Sequence, residues 1–212
     1  MKGKIFIISG PSGSGKTTLQ NRLLAEEPNL VKTVSVTTRP PRPGEIPDKD
    51  YYFVTPKMFL YKIRAGHFLE YQKVFNNYYG TPKKQVDQFL REQKNILLCI
   101  DVKGTEIVRK KFPQATSIFV KTSSVEELKR RLVKRGSENS RDFQLRMKTA
   151  LRELKEQKNY NHIIDNNNLE TASKRLLEIV RSELKKRMTR INQSLTTFEV
   201  YVKNMPPYLL LK

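Results

Sequence analysis

The sequence predicts an α/β protein in which crossover helices join the strands of a mostly parallel core sheet. Short apolar runs rich in β-branched residues alternate along the chain with longer segments of helical periodicity, a pattern typical of such a sheet. A glycine-rich loop, residues 10–15, joins the first of these runs to the first helical segment. With 212 residues, the chain is long enough to form one sizeable core.

The first predicted elements are a strand and a helix on either side of the glycine loop. Residues 4–9, KIFIIS, form a short apolar run that ends at glycine and are therefore predicted to be a buried strand. Leu19, Leu23 and Leu24 then recur at helical spacing, which predicts a helix over residues 16–26. Further strands are expected at residues 31–37, 51–54, 96–100, 117–120 and 162–165. Further helices are expected from Pro56 to near Gly66 and at residues 83–92, 105–111, 125–135 and 142–158.

The C-terminal part is predicted to contain one more helix, followed by a tail. Apolar residues recur along one stripe of residues 169–191, and we expect this stripe to pack on the sheet. Beyond it, Phe198, Val200 and Val202 form a short alternating piece. No role is assigned to residues 193–212.

The charge of the chain points to a phosphate-rich partner or substrate, or to a lysine-rich surface without a specific partner. Lys and Arg number 41 against 21 Asp and Glu, a formal net charge of +20. The single cysteine, Cys99, excludes an internal disulfide and fits a reducing compartment. The sequence shows no signal-peptide pattern, and no apolar run approaches the roughly 20 residues that span a bilayer. We therefore expect a soluble cytoplasmic domain.

Residues 10–17, GPSGSGKT, match the phosphate-loop pattern G-x-x-x-x-G-K-[ST] between a predicted strand and a predicted helix. The glycines allow successive backbone N–H groups to surround phosphate oxygens at the positive end of the helix. Lys16 is expected to contact the β- and γ-phosphates, and the Thr17 hydroxyl is expected to ligate Mg²⁺. The predicted nucleotide-binding residues are Gly10, Pro11, Ser12, Gly13, Ser14, Gly15, Lys16 and Thr17.

A phosphate loop alone leaves GTPases, helicases, motors and kinases open. The chain is short for a motor or a helicase, and residues 166–169, NNNL, do not match the motif by which switch GTPases recognise guanine. A compact kinase is the common class that remains. Residues 35–45, SVTTRPPRPGE, add Arg39 and Arg42 in a segment that three prolines hold extended. A guanidinium group can donate two parallel hydrogen bonds to a phosphate.

The sequence resembles the guanylate kinase family, whose members phosphorylate GMP with ATP. The matching stretches occur in the family's order over most of residues 4–186, and they are GPSGSGKTT, SVTTRPPRPGE, DYYF, FLEY, NNYYGTP, LCIDVKG and LKRRLVKRG. The resemblance implies a P-loop kinase domain at residues 3–186. It implies a GMP-binding insert containing β-strands at about residues 35–80 and a helical lid at about residues 123–146. Residues 187–212 remain as a helix end and a tail of unknown role.

The resemblance also assigns residues to each part of the reaction. For GMP it implies Ser35, Arg39, Arg42, Tyr51, Glu70, Tyr79, Thr81 and Asp101. Arginines and tyrosines would bind the GMP phosphate, and the Glu70 carboxylate would accept from guanine N1–H and the N2 amine, which adenine cannot donate together. For catalysis it implies Lys16, Arg39 and Arg42, with Arg131, Arg135 and Arg146 as lid arginines that close over ATP.

One position departs from the family's pattern. The family reads D-x-D where this chain has Cys99, Ile100 and Asp101. Because a thiol is a poor Mg²⁺ ligand, this change puts in doubt how Mg²⁺ and its water shell are held. Cys99 is interpreted as a buried structural thiol. His67 and His162 match no metal-ligand spacing and are interpreted as structural.

The predicted function is therefore transfer of the γ-phosphoryl group of ATP to GMP, with Mg²⁺, in purine nucleotide metabolism and GMP recycling. A kinase acting on a ribose bisphosphate is an alternative, but it would not need the FLEY and NNYYGTP motifs. A non-catalytic guanylate-kinase-like binding module is a second alternative, and the intact phosphate loop argues against it. Nucleic-acid binding through the +20 charge lacks a basic motif interleaved with aromatic residues. No membrane or nucleic-acid partner is expected, and the oligomeric state is not predicted.

Overall fold

A computed structural model describes the backbone of residues 3–134 and 140–203. The chain divides into two compact units, Met1–Leu177 and Glu178–Lys212. The strands are β1 (Ile5–Ser9), β2 (Leu30–Lys32), β3 (Ser35–Thr37), β4 (Tyr51–Phe53), β5 (Phe68–Val74), β6 (Asn77–Pro82), β7 (Asn95–Cys99), β8 (Thr116–Lys121) and β9 (His162–Asp165). The helices are α1 (Lys16–Glu26), α2 (Pro56–Arg64), α3 (Lys83–Arg91), α4 (Val102–Lys111), α5 (Val125–Lys134), α6 (Ser140–Lys155) and α7 (Leu169–Lys203), with a 3₁₀ turn at Glu156–Asn159.

Five strands form a core sheet in the order β2-β7-β1-β8-β9, and every pair in it is parallel. All five residues of β1 are buried, as expected for a central strand of a parallel sheet. Ile7, Leu98 and Ile118 of its three central strands are completely buried. Helices α1, α3 and α4 pack against this sheet. The predicted α/β fold with a parallel core is thus confirmed.

A second, four-stranded sheet lies between β2 and α3 in the sequence. Its order is β4-β3-β6-β5, with β3 parallel to β4 and antiparallel to β6. Strands β5 and β6 form an antiparallel hairpin. The aromatic ring of Phe59, from α2, is completely buried and stacks on Phe68 and Tyr78, with ring centroids 4.6 Å and 5.2 Å away. This ring contact ties α2 to the hairpin.

Most predicted elements lie within a few residues of the observed ones, but several differ. The strand expected at residues 31–37 is two strands, β2 and β3, which belong to different sheets. The hairpin strands β5 and β6 were not predicted individually. Helix α4 begins at Val102, three residues earlier than expected, because the Asp101 carboxyl caps it by accepting from the Gly104 N–H at 2.6 Å. Helix α6 gives way to a 3₁₀ turn after Lys155, whereas the predicted helix reached residue 158.

The last helix is longer than predicted. Helix α7 runs from Leu169 to Lys203, so the short alternating piece at residues 198–202 is helical. Within the first unit, Ala172 and Leu176 of the predicted apolar stripe are buried. Residues 204–212 of the tail lie outside the described residues. No helix in the described ranges has the length and apolar character needed to cross a membrane.

Replacing Phe59 with Ala should lower the free energy of unfolding by about 3–5 kcal/mol, because it empties a fully buried site between two aromatic rings. Urea unfolding followed by circular dichroism measures this change. The matched control is Leu60→Ala, since the neighbouring Leu60 is 41 % exposed and its loss should change the free energy by less than about 1 kcal/mol. Equal losses for the two variants would contradict the packing role of Phe59.

Candidate active site

One cleft lies where strands β1 and β7 end and where the second sheet faces them. Its cavity has a volume of about 480 Å³. Both the phosphate loop and the second sheet line it, and so do strand β7 and helix α6. The predicted site residues that reach it are Gly10, Ser12, Lys16, Thr17, Ser35, Arg42, Tyr51, Glu70, Tyr79, Asp101 and Arg146. The structure therefore brings predicted donor-binding, acceptor-binding and lid residues to one place.

The phosphate loop connects β1 to α1. Gly13 and Gly15 have φ values of 88° and 90°, in the left-handed region that glycine adopts without strain. The Lys16 ammonium donates to the carbonyl oxygens of Gly10 and Pro11, at 2.6 Å and 2.9 Å. The side-chain amide of Asn166 donates to the Ser14 carbonyl at 2.8 Å, which joins the loop to the end of β9. The loop is thus held in shape by its own lysine and by a neighbouring strand.

The proline-rich segment folds so that Arg39 is bound by a carboxylate. Two guanidinium nitrogens of Arg39 donate to the two oxygens of Glu45, at 2.9 Å and 2.8 Å. The Arg42 backbone N–H donates to the same carboxylate at 2.8 Å. Burial opposes ionisation of Glu45, but the hydrogen bonds from Arg39 and Arg42 hold its pKa below the ordinary value. Sequence analysis missed this role for Glu45, although it is the last residue of the SVTTRPPRPGE motif.

Arg39 does not line the cavity itself, whereas Arg42 and Glu45 do. The Arg39 side chain is 10 % exposed, and its guanidinium carbon lies 5.3 Å from the Tyr51 ring centroid and 5.9 Å from that of Phe53. Its Nε–H is buried and has no hydrogen-bond partner within the described part of the chain. One edge of the guanidinium therefore retains an unpaired donor.

Glu70 is a buried carboxyl on β5. It is 6 % exposed, and the Thr81 hydroxyl donates to its Oε1 at 2.5 Å across the hairpin. The strand pairing is irregular between Phe68 and Glu70, and Leu69 and Glu70 are both buried although they are adjacent. Burial raises the pKa of Glu70 to about 7, with the Thr81 hydrogen bond opposing the shift and the Asp101 carboxyl adding to it.

Four further predicted GMP residues line the same cavity as this carboxyl, namely Ser35, Tyr51, Tyr79 and Asp101. Ser35 pairs with Tyr51 between β3 and β4. The Tyr51 and Tyr79 rings meet edge to face with centroids 6.2 Å apart. Burial raises the pKa of Tyr51 to about 12, so its hydroxyl remains a hydrogen-bond donor at neutral pH. Burial likewise raises the pKa of Asp101.

Two further groups line the cavity near Asp101. Cys99, interpreted from the sequence as a buried structural thiol, is partly exposed at the cavity wall. Desolvation raises the pKa of its thiol, so the neutral form is favoured. Glu153, on α6, was not singled out from the sequence because it lies in a long polar helix. Burial raises the pKa of Glu153 to about 7, opposed by the charge of Lys16 and increased by that of Asp101. Glu153 has no hydrogen-bond or ion-pair partner among the described residues.

The predicted lid arginines are placed differently from one another. Arg131 donates to Glu127 at 2.6 Å and to the carbonyl oxygen of Asn166 at 2.7 Å, and so lies beside the phosphate loop. Arg146 lies at the cavity, with its guanidinium carbon 5.4 Å from the centroid of the Phe75 ring. Arg135 lies outside the described residues.

The chain is similar to known proteins over most of its length. The family model described as guanylate kinase matches residues 2–183. A guanylate kinase of Thermotoga maritima is 40 % identical over 203 residues, covering 96 % of this chain and 98 % of that protein. A guanylate kinase of Clostridium tetani is 41 % identical over 194 residues, covering 92 % of each chain.

The crystal structure of guanylate kinase from Anaplasma phagocytophilum superposes with a TM-score of 0.71 at 35 % identity and covers 86 % of each chain. The family match, the relatives and this structural similarity agree with one another. The chain belongs to the guanylate kinase family.

Proposed function

We propose that this chain transfers the γ-phosphoryl group of ATP to GMP, giving GDP and ADP. The observation that supports this most directly is that the phosphate loop, the Arg42–Glu45 segment and the buried carboxyl of Glu70 line the same cleft. The accepting phosphate is already anionic, so transfer needs alignment and charge neutralisation more than a general base. No covalent enzyme intermediate is required.

The carboxyl of Glu70 would select guanine. With Oε1 accepting from Thr81, the carboxylate keeps lone pairs for guanine N1–H and the N2 amine. Adenine would place an acceptor against these lone pairs and leave a buried charge unpaired. A site of this kind can discriminate by several orders of magnitude.

The GMP phosphate would bind between Arg39, Arg42, Tyr51 and Tyr79. The unpaired, buried Nε–H of Arg39 is a donor suited to a phosphate oxygen. Glu45 would fix the orientation of Arg39, so that less side-chain entropy is lost when the phosphate binds.

Mg²⁺ fits the chemistry of the donor set, because oxygen atoms of Thr17, Asp101 and Glu153 line one cavity. Within the described residues no three His, Cys, Asp or Glu side chains form a metal-binding group, which agrees with a cation held mainly by nucleotide phosphates and water. Thr17 would ligate it, and the carboxylates would accept hydrogen bonds from its waters. When bound, the ion neutralises phosphate charge during transfer. Cys99 would supply no ligand.

The lid arginines Arg131, Arg135 and Arg146 would neutralise charge on the migrating phosphoryl group. Closure of the lid over ATP would exclude water and so limit hydrolysis. We further propose that the enzyme acts in the cytoplasm on ATP and GMP, in purine nucleotide metabolism, without a nucleic-acid partner.

The direct test measures ADP formation with GMP, AMP, CMP and UMP as acceptors. We expect GMP to be preferred strongly, Glu70→Gln to reduce that preference by at least about tenfold, and Lys16→Ala to abolish transfer to every acceptor. Glu106→Gln is the matched control, because it makes the same change at an exposed carboxylate of α4 and should leave the preference unchanged. Comparable wild-type rates with all four acceptors would reject the proposal.

The pKa of about 7 for Glu70 predicts a pH dependence. Because only the ionised carboxylate accepts both guanine hydrogen bonds, kcat/KM for GMP should rise as the pH increases through about 7. In the folded state the pKa of Glu70 lies above its ordinary value of 4.5, so between pH 4.5 and about 7 the folded protein binds more protons at Glu70 than the unfolded chain does. The free energy of unfolding should therefore fall as the pH rises from 4.5 to about 7. Glu70→Gln should lack both contributions, and identical pH profiles for the two proteins would contradict the assignment.

Replacing Glu45 with Gln should raise KM for GMP by about tenfold, because Arg39 loses its charged partner and its fixed orientation. KM for ATP should stay within about twofold, since Glu45 lies in the predicted GMP-binding segment. Steady-state kinetics with each substrate varied in turn measures both values. Glu106→Gln, at an exposed pair with Lys110, is the control, and equal effects of Glu45→Gln on both substrates would contradict this role.

A further inference from the structure

Helix α4 contacts strand β5 at both of its ends. Its first turn lies against the Glu70 side chain through Gly104. Near its last turn, the Lys111 ammonium donates to the Leu69 carbonyl oxygen. Because α4 follows core strand β7 directly while β5 belongs to the second sheet, this helix connects the core to the carboxyl proposed to bind guanine.

Gly104 leaves space that any other residue would fill. A Cβ atom built at this position would lie 2.6 Å from Oε2 of Glu70 and 3.1 Å from its carboxyl carbon. It would also lie 3.1 Å from Oδ1 of Asp101. The first of these distances is shorter than any stable contact between a carbon and an oxygen. The absence of a side chain at Gly104 therefore determines how closely the Glu70 carboxyl approaches α4.

Backbone conformation does not explain this glycine. Gly104 is not among the residues with positive φ, and it occupies the third position of an ordinary α-helix. Glycine inside a helix is less favourable than alanine by about 1 kcal/mol. Helix stability would therefore favour alanine, so the space itself is the property that glycine supplies here.

The carboxyl of Glu70 is also constrained on its other side. Its Oε1 accepts the Thr81 hydroxyl hydrogen bond at 2.5 Å, and both residues are buried. Moving Oε2 away from α4 would therefore change the orientation of the whole carboxyl group relative to Thr81. The fold can accommodate such a rotation, because the three nearest atoms all belong to the carboxyl groups of Glu70 and Asp101, and none of them is a backbone atom.

We propose that Gly104 is a positioning residue that determines specificity. Because it has no side chain, the Glu70 carboxylate can lie directly against α4 in the orientation that recognises guanine. This inference rests on the proposed function. A methyl group at position 104 would turn the carboxylate away from guanine N1–H and the N2 amine while leaving the phosphate loop unchanged.

The experiment compares Gly104→Ala with wild type, using GMP and IMP as acceptors. IMP retains N1–H but lacks the N2 amine, so the ratio of kcat/KM for GMP to that for IMP reports the second hydrogen bond. We expect Gly104→Ala to raise KM for GMP about tenfold or more, to lower the GMP-to-IMP ratio about tenfold and to change kcat less than threefold. Calorimetric titration should show the same loss of GMP affinity, and Tm should not fall, because alanine is the better helix former.

Two further variants separate the possible outcomes. Glu106→Ala, at an exposed position of α4, should leave every value within twofold of wild type. In the background of Glu70→Gln, Gly104→Ala should have little additional effect on the ratio, because it acts through that carboxylate.

If Glu70→Gln lowers the ratio but Gly104→Ala does not, the role of Gly104 is rejected and the proposed function stands. If Glu70→Gln leaves the ratio unchanged, guanine recognition by Glu70 is rejected and the role of Gly104 with it. A parallel loss of Tm, kcat and ATP affinity in Gly104→Ala would also overturn the inference, since it would indicate general damage to the fold.

Discussion

Desolvation of charge is the constraint on which the site depends. Glu70 and Arg39 are both largely removed from water, which is unfavourable unless each charged group has a partner. Arg39 has its partner in Glu45. Glu70 accepts a hydrogen bond from the neutral Thr81 hydroxyl, and burial raises its pKa. The two ends of the proposed GMP site therefore differ. The Arg39 charge is neutralised by Glu45, whereas the Glu70 carboxylate would gain its hydrogen-bond donors from the guanine base.

The core sheet determines where these groups can meet. Parallel pairing of β1 with β7 brings the phosphate loop and the Cys99–Asp101 segment to the same edge, because parallel strands share their carboxyl ends. The second sheet contributes residues from strands on which Phe59 of α2 packs. Helix α4 joins the two. Residues far apart in sequence therefore form one cavity.

The sequence predicted the core and the phosphate loop well because both depend on local patterns. Buried strands are apolar runs that end at glycine, and the loop motif fixes its own conformation. The β5–β6 hairpin was missed because its strands mix polar and aromatic residues, and because its turn has Phe75 at φ 54° instead of a glycine. The FLEY and SVTTRPPRPGE motifs identified Glu70 and Arg39 as candidate site residues. The partnership with Glu45 and the position of Glu153 depend on tertiary packing, which no local pattern contains.

The Lys16 ammonium donates to two carbonyl groups of its own loop. In the proposed reaction, a triphosphate would therefore compete with these internal hydrogen bonds for the ammonium. The net contribution of Lys16 to affinity would then be the difference between its bonds to the ligand and its bonds to the loop.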